Sequence, residues 1–174
     1  MSINWPYVHL LVNHFPIILS VIGVSAAIVA EILHRRGIWL YATASLVLAG
    51  LFAIPTDITG DQAGDVMRRA WYVSRQAVAA HDDAAGWTLW VLIIGGIIAA
   101  YAFWRLVRAP EVYPLPLWLR ALVIVAAVIG LATVVRTSLL GGRIVHDSPV
   151  LTASPPPGFH PVNGRPPAPA SESR

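Results

Sequence analysis

Cysteine is absent from this chain of 174 residues. Its absence excludes disulfides, thiolate metal sites, cysteine-ligated iron–sulfur clusters and covalent c-type haem attachment. Charged residues are also scarce, at 12% of the chain, whereas soluble domains carry about 25%. So few charges cannot cover a water-facing surface, and we therefore do not expect a soluble enzyme. The net charge of +3 is small and scattered, which argues against a nucleic-acid partner.

Hydrophobic residues make up 56% of the chain, and they gather in four long stretches. At 1.5 Å per helical residue, each stretch is long enough to cross a hydrocarbon layer of about 30 Å. Backbone amides in lipid must be paired within their own segment, so the stretches are predicted to be helices. We therefore predict an all-α integral membrane protein, a four-helix up-down transmembrane bundle. The predicted spans are 8–33, 37–55, 84–104 and 115–140.

The distribution of arginine predicts an orientation for this bundle. Four spans place both termini and the loop 56–83 on one side, and two short connections on the other. Short loops rich in arginine stay in the cytoplasm, so we expect a multi-pass protein whose N- and C-termini are periplasmic. The basic residues in or beside the short connections are Arg35, Arg36, Arg105, Arg108 and Arg120.

Two segments outside the spans have recognisable patterns. In the loop 56–83, Thr59 and Gln62 have the Thr-x-x-Gln spacing of a capping box, which predicts the start of a short interfacial helix. Residues 148–174 contain a Pro-Pro-Pro run and further prolines, a composition that cannot build a core. We therefore divide the chain into a transmembrane domain, 1–147, and a Pro-rich tail, 148–174, that is extended or disordered.

Four of the six histidines lie in or beside predicted helix ends on the periplasmic side: His9, His14, His81 and His146. Helix bundles hold cofactors between facing helices, and neutral imidazole is the usual nitrogen ligand. Haem b needs two axial ligands from opposite faces of the ring, or one ligand and an open position. The clustering therefore indicates a haem site, with the four histidines as candidate iron ligands.

Three further residues fit such a site. Asn13 follows His9 by four residues, on the same helix face, where its amide can orient the imidazole. Arg136 and Arg143 are seven residues apart near the end of the fourth span, where guanidinium groups can pair with carboxylates such as the haem propionates.

Two other interpretations remain open at this stage. Histidines near a membrane interface are often polar caps that bind headgroups or backbone carbonyls. A copper or other metal site at His9, His14 and His146 is less favoured, because no Cys or Met cluster accompanies them.

Four motifs follow one another along the chain: VHLLVNHFP at 8–16, Pro55 followed by Thr59, Gly60 and Ala63, His81 with Asp82, and GGRIVH at 141–146. With these motifs the chain resembles a family of bacterial four-helix membrane proteins of unknown function, over about residues 5–147. The resemblance implies location in the bacterial inner membrane and a suspected redox or haem b role that involves the four histidines and Asn13. Family members often have Glu where this chain has Asp82 and Asp147.

Two functional hypotheses follow. The first is an electron-transfer subunit of a respiratory or photosynthetic complex, rather than a catalytic chain, with one or two haem b groups. In this first hypothesis, His14 and His81 form one ligand pair, and His9 and His146 form a possible second pair. The subunit then links a periplasmic partner such as a cytochrome to quinone or to another subunit. The alternative is a cofactor-free accessory subunit that anchors a larger complex in the lipid.

Overall fold

The computed structural model describes residues 3–70, 73–110 and 113–146, and these residues form five helices without a strand. The first two follow each other so closely that they make one continuous span, which leaves four helices long and apolar enough to cross a membrane. The prediction of an all-α chain with four such helices is confirmed. The Pro-rich tail predicted at 148–174 lies outside the described residues. The helices are α1 (Trp5–Val12), α2 (His14–Leu33), α3 (Arg36–Met67), α4 (Arg75–Arg108) and α5 (Leu117–His146).

Helix α3 does not end at Pro55 but continues through it to Met67. Threonine hydroxyls donate to carbonyls in this region: Thr56 Oγ1 lies 2.8 Å from the Phe52 carbonyl oxygen, and Thr59 Oγ1 lies 2.8 Å from that of Pro55. Pro55 has no N–H for the Leu51 carbonyl, and these hydroxyls add hydrogen bonds to the turns on either side of the proline. The Thr59 hydroxyl is thus used within α3 and caps nothing, so the predicted separate helix in 56–83 is wrong.

Helix α4 begins earlier than its apolar run. The Ser74 side chain caps it, since Ser74 Oγ accepts a hydrogen bond of 3.2 Å from the Ala77 amide, and the helix starts at Arg75. The predicted loop of 56–83 is therefore reduced to a connection over 68–74. As a result, α3 and α4 both extend past their apolar stretches, and their ends carry part of the site described below.

The four long helices form a closed ring, in which each packs on its chain neighbour and α2 packs on α5. Small residues allow the close approach. At Gly50, for example, a Cβ would lie 2.7 Å from the Leu92 carbonyl oxygen of α4. Among the described residues, Trp39 is the largest fully buried side chain, and the rest of the main cluster is rich in alanine. Large apolar side chains cover much of the outside, including Trp87, Ile97 and Leu117.

The end of the bundle away from the four histidines is joined by charged groups. Arg120 Nη1 of α5 lies 2.5 Å from Glu31 Oε1 of α2. Arg36 donates twice to the Leu106 carbonyl of α4, with distances of 3.1 and 2.6 Å. Each contact crosses between helices, and a charge-assisted hydrogen bond in a low-dielectric setting is stronger than a neutral one.

Candidate functional site

A cavity of about 630 Å³ lies at the other end of the bundle, and all five helices contribute to its wall. Its volume falls in the range of roughly 300–1,000 Å³ typical of cofactor and ligand sites. The structure brings all four histidines to this cavity, and Asn13 lines it as well. The end of the bundle that contains this space is called the cavity end below. The histidines that line it are His9, His14, His81 and His146.

His9 of α1 is seated on α3. Its Nδ1 lies 3.1 Å from the Thr56 carbonyl oxygen and 3.3 Å from Thr59 Oγ1. A carbonyl can only accept, so Nδ1 carries the proton and Nε2 keeps its lone pair. The ring also covers Gly60, where a Cβ would lie 3.1 Å from His9 Cε1. Glycine at this position therefore makes room for the imidazole against the helix.

His81 of α4 is seated on α5 in the same way. Its Nδ1 donates to the Thr137 carbonyl at 3.0 Å, which again leaves the lone pair on Nε2. Its ring covers Gly141, where a Cβ would lie 3.1 Å from Cε1 and 3.3 Å from Nδ1. Beside this contact, Thr137 Oγ1 shares a hydrogen bond of 2.8 Å with Thr88 Oγ1, so the receiving turn of α5 is also bonded to α4.

The two seats share one design. Each imidazole donates Nδ1–H to a threonine carbonyl of the neighbouring long helix and lies over the glycine four residues further on, at Thr56 and Gly60 or at Thr137 and Gly141. Neither Nε2 has a hydrogen-bond partner among the residues that the structure describes. The arrangement therefore offers two nitrogen lone pairs, on separate helices, to one cavity.

His14 and His146 are held differently. His14 Nδ1 donates to the Leu10 carbonyl one turn earlier, at 2.5 Å, and the side chain is exposed. His146 is the last residue of α5 and is also exposed. Neither lies over a glycine of another helix. The pairs suggested by the sequence, His14 with His81 and His9 with His146, therefore each combine one seated histidine with one at the rim.

Asn13 stands at the junction of α1 and α2. Its backbone is nearly helical, and its backbone N–H donates to the His9 carbonyl at 2.9 Å. Its side chain makes no cap for α2, and Oδ1 is buried without a hydrogen-bond partner. Asn13 thus does not contact the His9 ring through a hydrogen bond, although both line the cavity.

The polar rim contains carboxylates and one tethered cation. Asp57, Asp61 and Asp82 line the cavity. Arg68, at the end of α3, pairs with Asp65 at 3.1 Å and also with Asp82 of α4, so it joins the two helix ends beside the cavity mouth. The remaining sequence candidates, Arg136 and Arg143, are exposed and do not line the cavity.

The chemistry available is that of a bis-imidazole site in an apolar cavity. The deeper wall includes Ile17, Leu89, Leu92 and Val134. Within residues 3–70, 73–110 and 113–146, no group of three or more His, Asp or Glu is placed to hold a metal ion, as a copper site at His9, His14 and His146 would require. His9 and His81 both line this cavity, and two imidazoles are a donor set that haem iron accepts.

Sequence reasoning identified the histidines but missed the residues that seat them. The contacts join positions 47 and 56 residues apart, which no local pattern reveals. One signal was present: Thr-x-x-x-Gly occurs at 56–60 and again at 137–141. No family model, curated protein or solved structure matches the chain.

Proposed function

We propose that this chain is a four-span membrane subunit of the bacterial inner membrane that binds one haem b between His9 and His81 and transfers electrons. The resemblance to bacterial four-helix membrane proteins belongs to the same proposal. The observation that carries it is the pair of matched seats, which present two Nε2 lone pairs to a single cavity.

The helix surfaces support placement in a membrane. Exposed apolar side chains cover the bundle, and soluble monomers rarely expose contiguous apolar patches larger than a few hundred Å². On α4, Trp87 and Trp104 are both exposed and stand about 26 Å apart at 1.5 Å per residue. Tryptophans at both interfaces are typical of spanning helices. The short connections between successive helices support an up-down order, with the arginine-rich ones in the cytoplasm and the termini in the periplasm.

This placement puts the site near the periplasmic interface. His81 precedes Trp87 by six residues, or about 9 Å of helix, so its ring is at headgroup level. A cofactor there is within reach of a water-soluble donor such as a periplasmic cytochrome. It is also within reach of quinone in the lipid or of another subunit. We therefore assign the chain to a respiratory or photosynthetic electron-transfer complex.

Haem b would supply one-electron oxidation and reduction at its iron. The chain's own residues hold and orient that group. The carbonyls of Thr56 and Thr137 fix the tautomer and the direction of each imidazole, and a hydrogen bond from Nδ1 raises the basicity of Nε2. The glycines keep each ring against its helix, and the apolar wall excludes water, which influences the reduction potential.

Absorption spectra of the purified protein, oxidised and dithionite-reduced, test this proposal. We expect a Soret band and a sharp α-band on reduction, and loss of both in His9→Ala and His81→Ala. His34→Asn is the control, because His34 lies at the opposite end of the bundle with φ 50°, a conformation that Asn tolerates. Absence of pigment from protein expressed with excess haem would refute the proposal.

A second candidate function is supported by the same hydrogen bonds. If His9 and His81 serve only to join α1 to α3 and α4 to α5, the chain is a cofactor-free accessory subunit that anchors a larger complex. In that case His9→Ala and His81→Ala reduce complex assembly and thermal stability, while the absorption spectrum of the wild type has no Soret band to lose.

A further inference from the structure

The cavity wall contains a buried acceptor without a donor. Asn13 Oδ1 is buried and has no hydrogen-bond partner. An N-cap asparagine with an extended backbone accepts from the amide two or three residues on, but Asn13 is itself helical and caps nothing, and the third residue of α2, Pro16, has no N–H. An unpaired buried polar atom is costly, so this oxygen is suited to a donor that comes from outside the chain.

The next residue adds a second acceptor. His14 Nδ1 donates to the Leu10 carbonyl, so its Nε2 holds a lone pair. No described residue donates to that nitrogen. Asn13 and His14 both line the cavity, and the haem seats at His9 and His81 use neither of them. Two adjacent acceptors therefore remain free at the α1–α2 junction.

The surroundings of these acceptors are apolar. Leu10 and Ile17, one turn to either side, line the same cavity. A ligand that matches this environment has an apolar body and at least one O–H group, and it reaches the site from the lipid. Water supplies the donor but not the apolar body, and an oxidised quinone supplies the body but has only acceptors.

We infer that Asn13 Oδ1 accepts a hydrogen bond from one hydroxyl group of an alkylated hydroquinone, and that His14 Nε2 is the acceptor for its other hydroxyl group. The inference deepens the proposed function and rests on it, because it names the reduced, lipid-borne partner of the electron-transfer site. It concerns recognition of the hydroxyl groups and assigns no electron-transfer step to these residues. The result is a binding site for the reduced form of the carrier, formed by a helix junction rather than by the haem ligands.

The test compares two ligands with the same ring and alkyl chain, one with two O–H donors and one in which both are methylated. Full-length protein in lipid nanodiscs is reduced with dithionite under anaerobic conditions and titrated with decylhydroquinone or with its dimethyl ether, and empty nanodiscs correct for partition into lipid. We expect about tenfold tighter binding of decylhydroquinone, since one hydrogen bond to a buried acceptor corresponds to roughly this factor. Equal affinity for the two ligands would overturn the inference.

Variants then assign the preference to residues. Asn13→Leu keeps the size of the side chain and removes the acceptor, so it abolishes the preference for decylhydroquinone, and His14→Phe reduces it. Gln62→Leu is the matched control, because Gln62 is an exposed amide on α3 that does not line the cavity. A preference that survives in both Asn13→Leu and His14→Phe refutes the assignment.

The Soret band of the same samples separates the two proposals. If Asn13→Leu keeps its pigment and its thermal stability but loses the preference for decylhydroquinone, the result supports both the haem proposal and this inference. Pigment without any preference for decylhydroquinone refutes this inference and leaves the haem proposal intact. A preference for decylhydroquinone in protein that never binds pigment refutes the haem proposal and leaves this inference intact.

Discussion

Gly141→Ala perturbs one imidazole seat without touching the imidazole itself. The new Cβ would lie 3.1 Å from His81 Cε1 and 3.3 Å from Nδ1. At these distances the ring must move by a few tenths of an ångström. That movement strains the hydrogen bond from Nδ1 to the Thr137 carbonyl, which holds the ring in place. The adjacent Gly142 is a matched control, since a Cβ there meets nothing within 4 Å.

The expected magnitudes follow from two opposing terms. Both variants gain about 1 kcal/mol of helix propensity from Gly to Ala. Only Gly141→Ala also incurs overpacking, which costs about 1–3 kcal/mol. Gly141→Ala should therefore be less stable than Gly142→Ala by about 1–3 kcal/mol, because the propensity gain cancels in the comparison. Displacement of a group that orients a metal ligand lowers metal affinity about 10–100-fold, so haem retention should fall by a similar factor.

Two assays check this prediction. Denaturant unfolding in a fixed detergent compares the free energies of the two variants. Titration of the haem-free proteins with haem, followed at the Soret band, compares their affinities. Equal haem affinity in Gly141→Ala and Gly142→Ala would refute the claim that the His81 seat positions an iron ligand. Unequal stability with equal affinity would leave the contact as a packing feature only.

Three further predictions concern other contacts between the helices and at their ends. Thr137→Val leaves the Thr88 hydroxyl without its partner and should lower the free energy of unfolding by about 1 kcal/mol, whereas adding Thr88→Val should recover most of that loss. Unfolding of the single and double variants measures both effects, and a double variant no more stable than the single one contradicts the prediction. Arg120→Leu leaves the Glu31 carboxylate partly buried and unpaired, so we expect the free energy of unfolding to fall by about 1–3 kcal/mol. The double variant Glu31→Leu with Arg120→Leu should restore stability, and no recovery in it would argue against an isolated ion pair. Arg68→Gln removes two ion pairs of an exposed side chain and should lower the free energy of unfolding by less than about 1 kcal/mol. The difference should disappear when unfolding is measured at high salt, and a larger loss that persists at high salt would contradict this prediction.

The long helices could be predicted from composition because apolar stretches of this length have few alternatives in lipid. The ends of α3 and α4 could not be predicted from the sequence. Pro55 and the polar residues after it suggest a loop by local rules, yet α3 continues to Met67, and the hydroxyls of Thr56 and Thr59 are bonded to carbonyls of the same helix. Likewise, α4 begins at the Ser74 cap, before its apolar run. Local rules identify breaks in hydrophobicity, and a helix can continue past such a break.

The candidate site was predictable in its residue types but not in its geometry. Four histidines near one end of the bundle were visible in the sequence, and the structure brings them to one cavity. What distinguishes His9 and His81 from His14 and His146 is the neighbouring helix that receives each ring. That distinction depends on long-range packing, so the pairing inferred from sequence differs from the pairing proposed here.

The attachment of α1 bears on how the proposed site would be filled. This helix has eight residues, none of them is buried, and it packs mainly on α3, so we expect its local stability to be low. The seat of His9 on α3 is one of its main bonds to the bundle. If the proposed haem binds, an outward swing of α1 about Asn13 would open the cavity while the ring of long helices stays intact. The haem would then enter after insertion of the chain is complete, and its coordination by His9 would fasten the N-terminal segment.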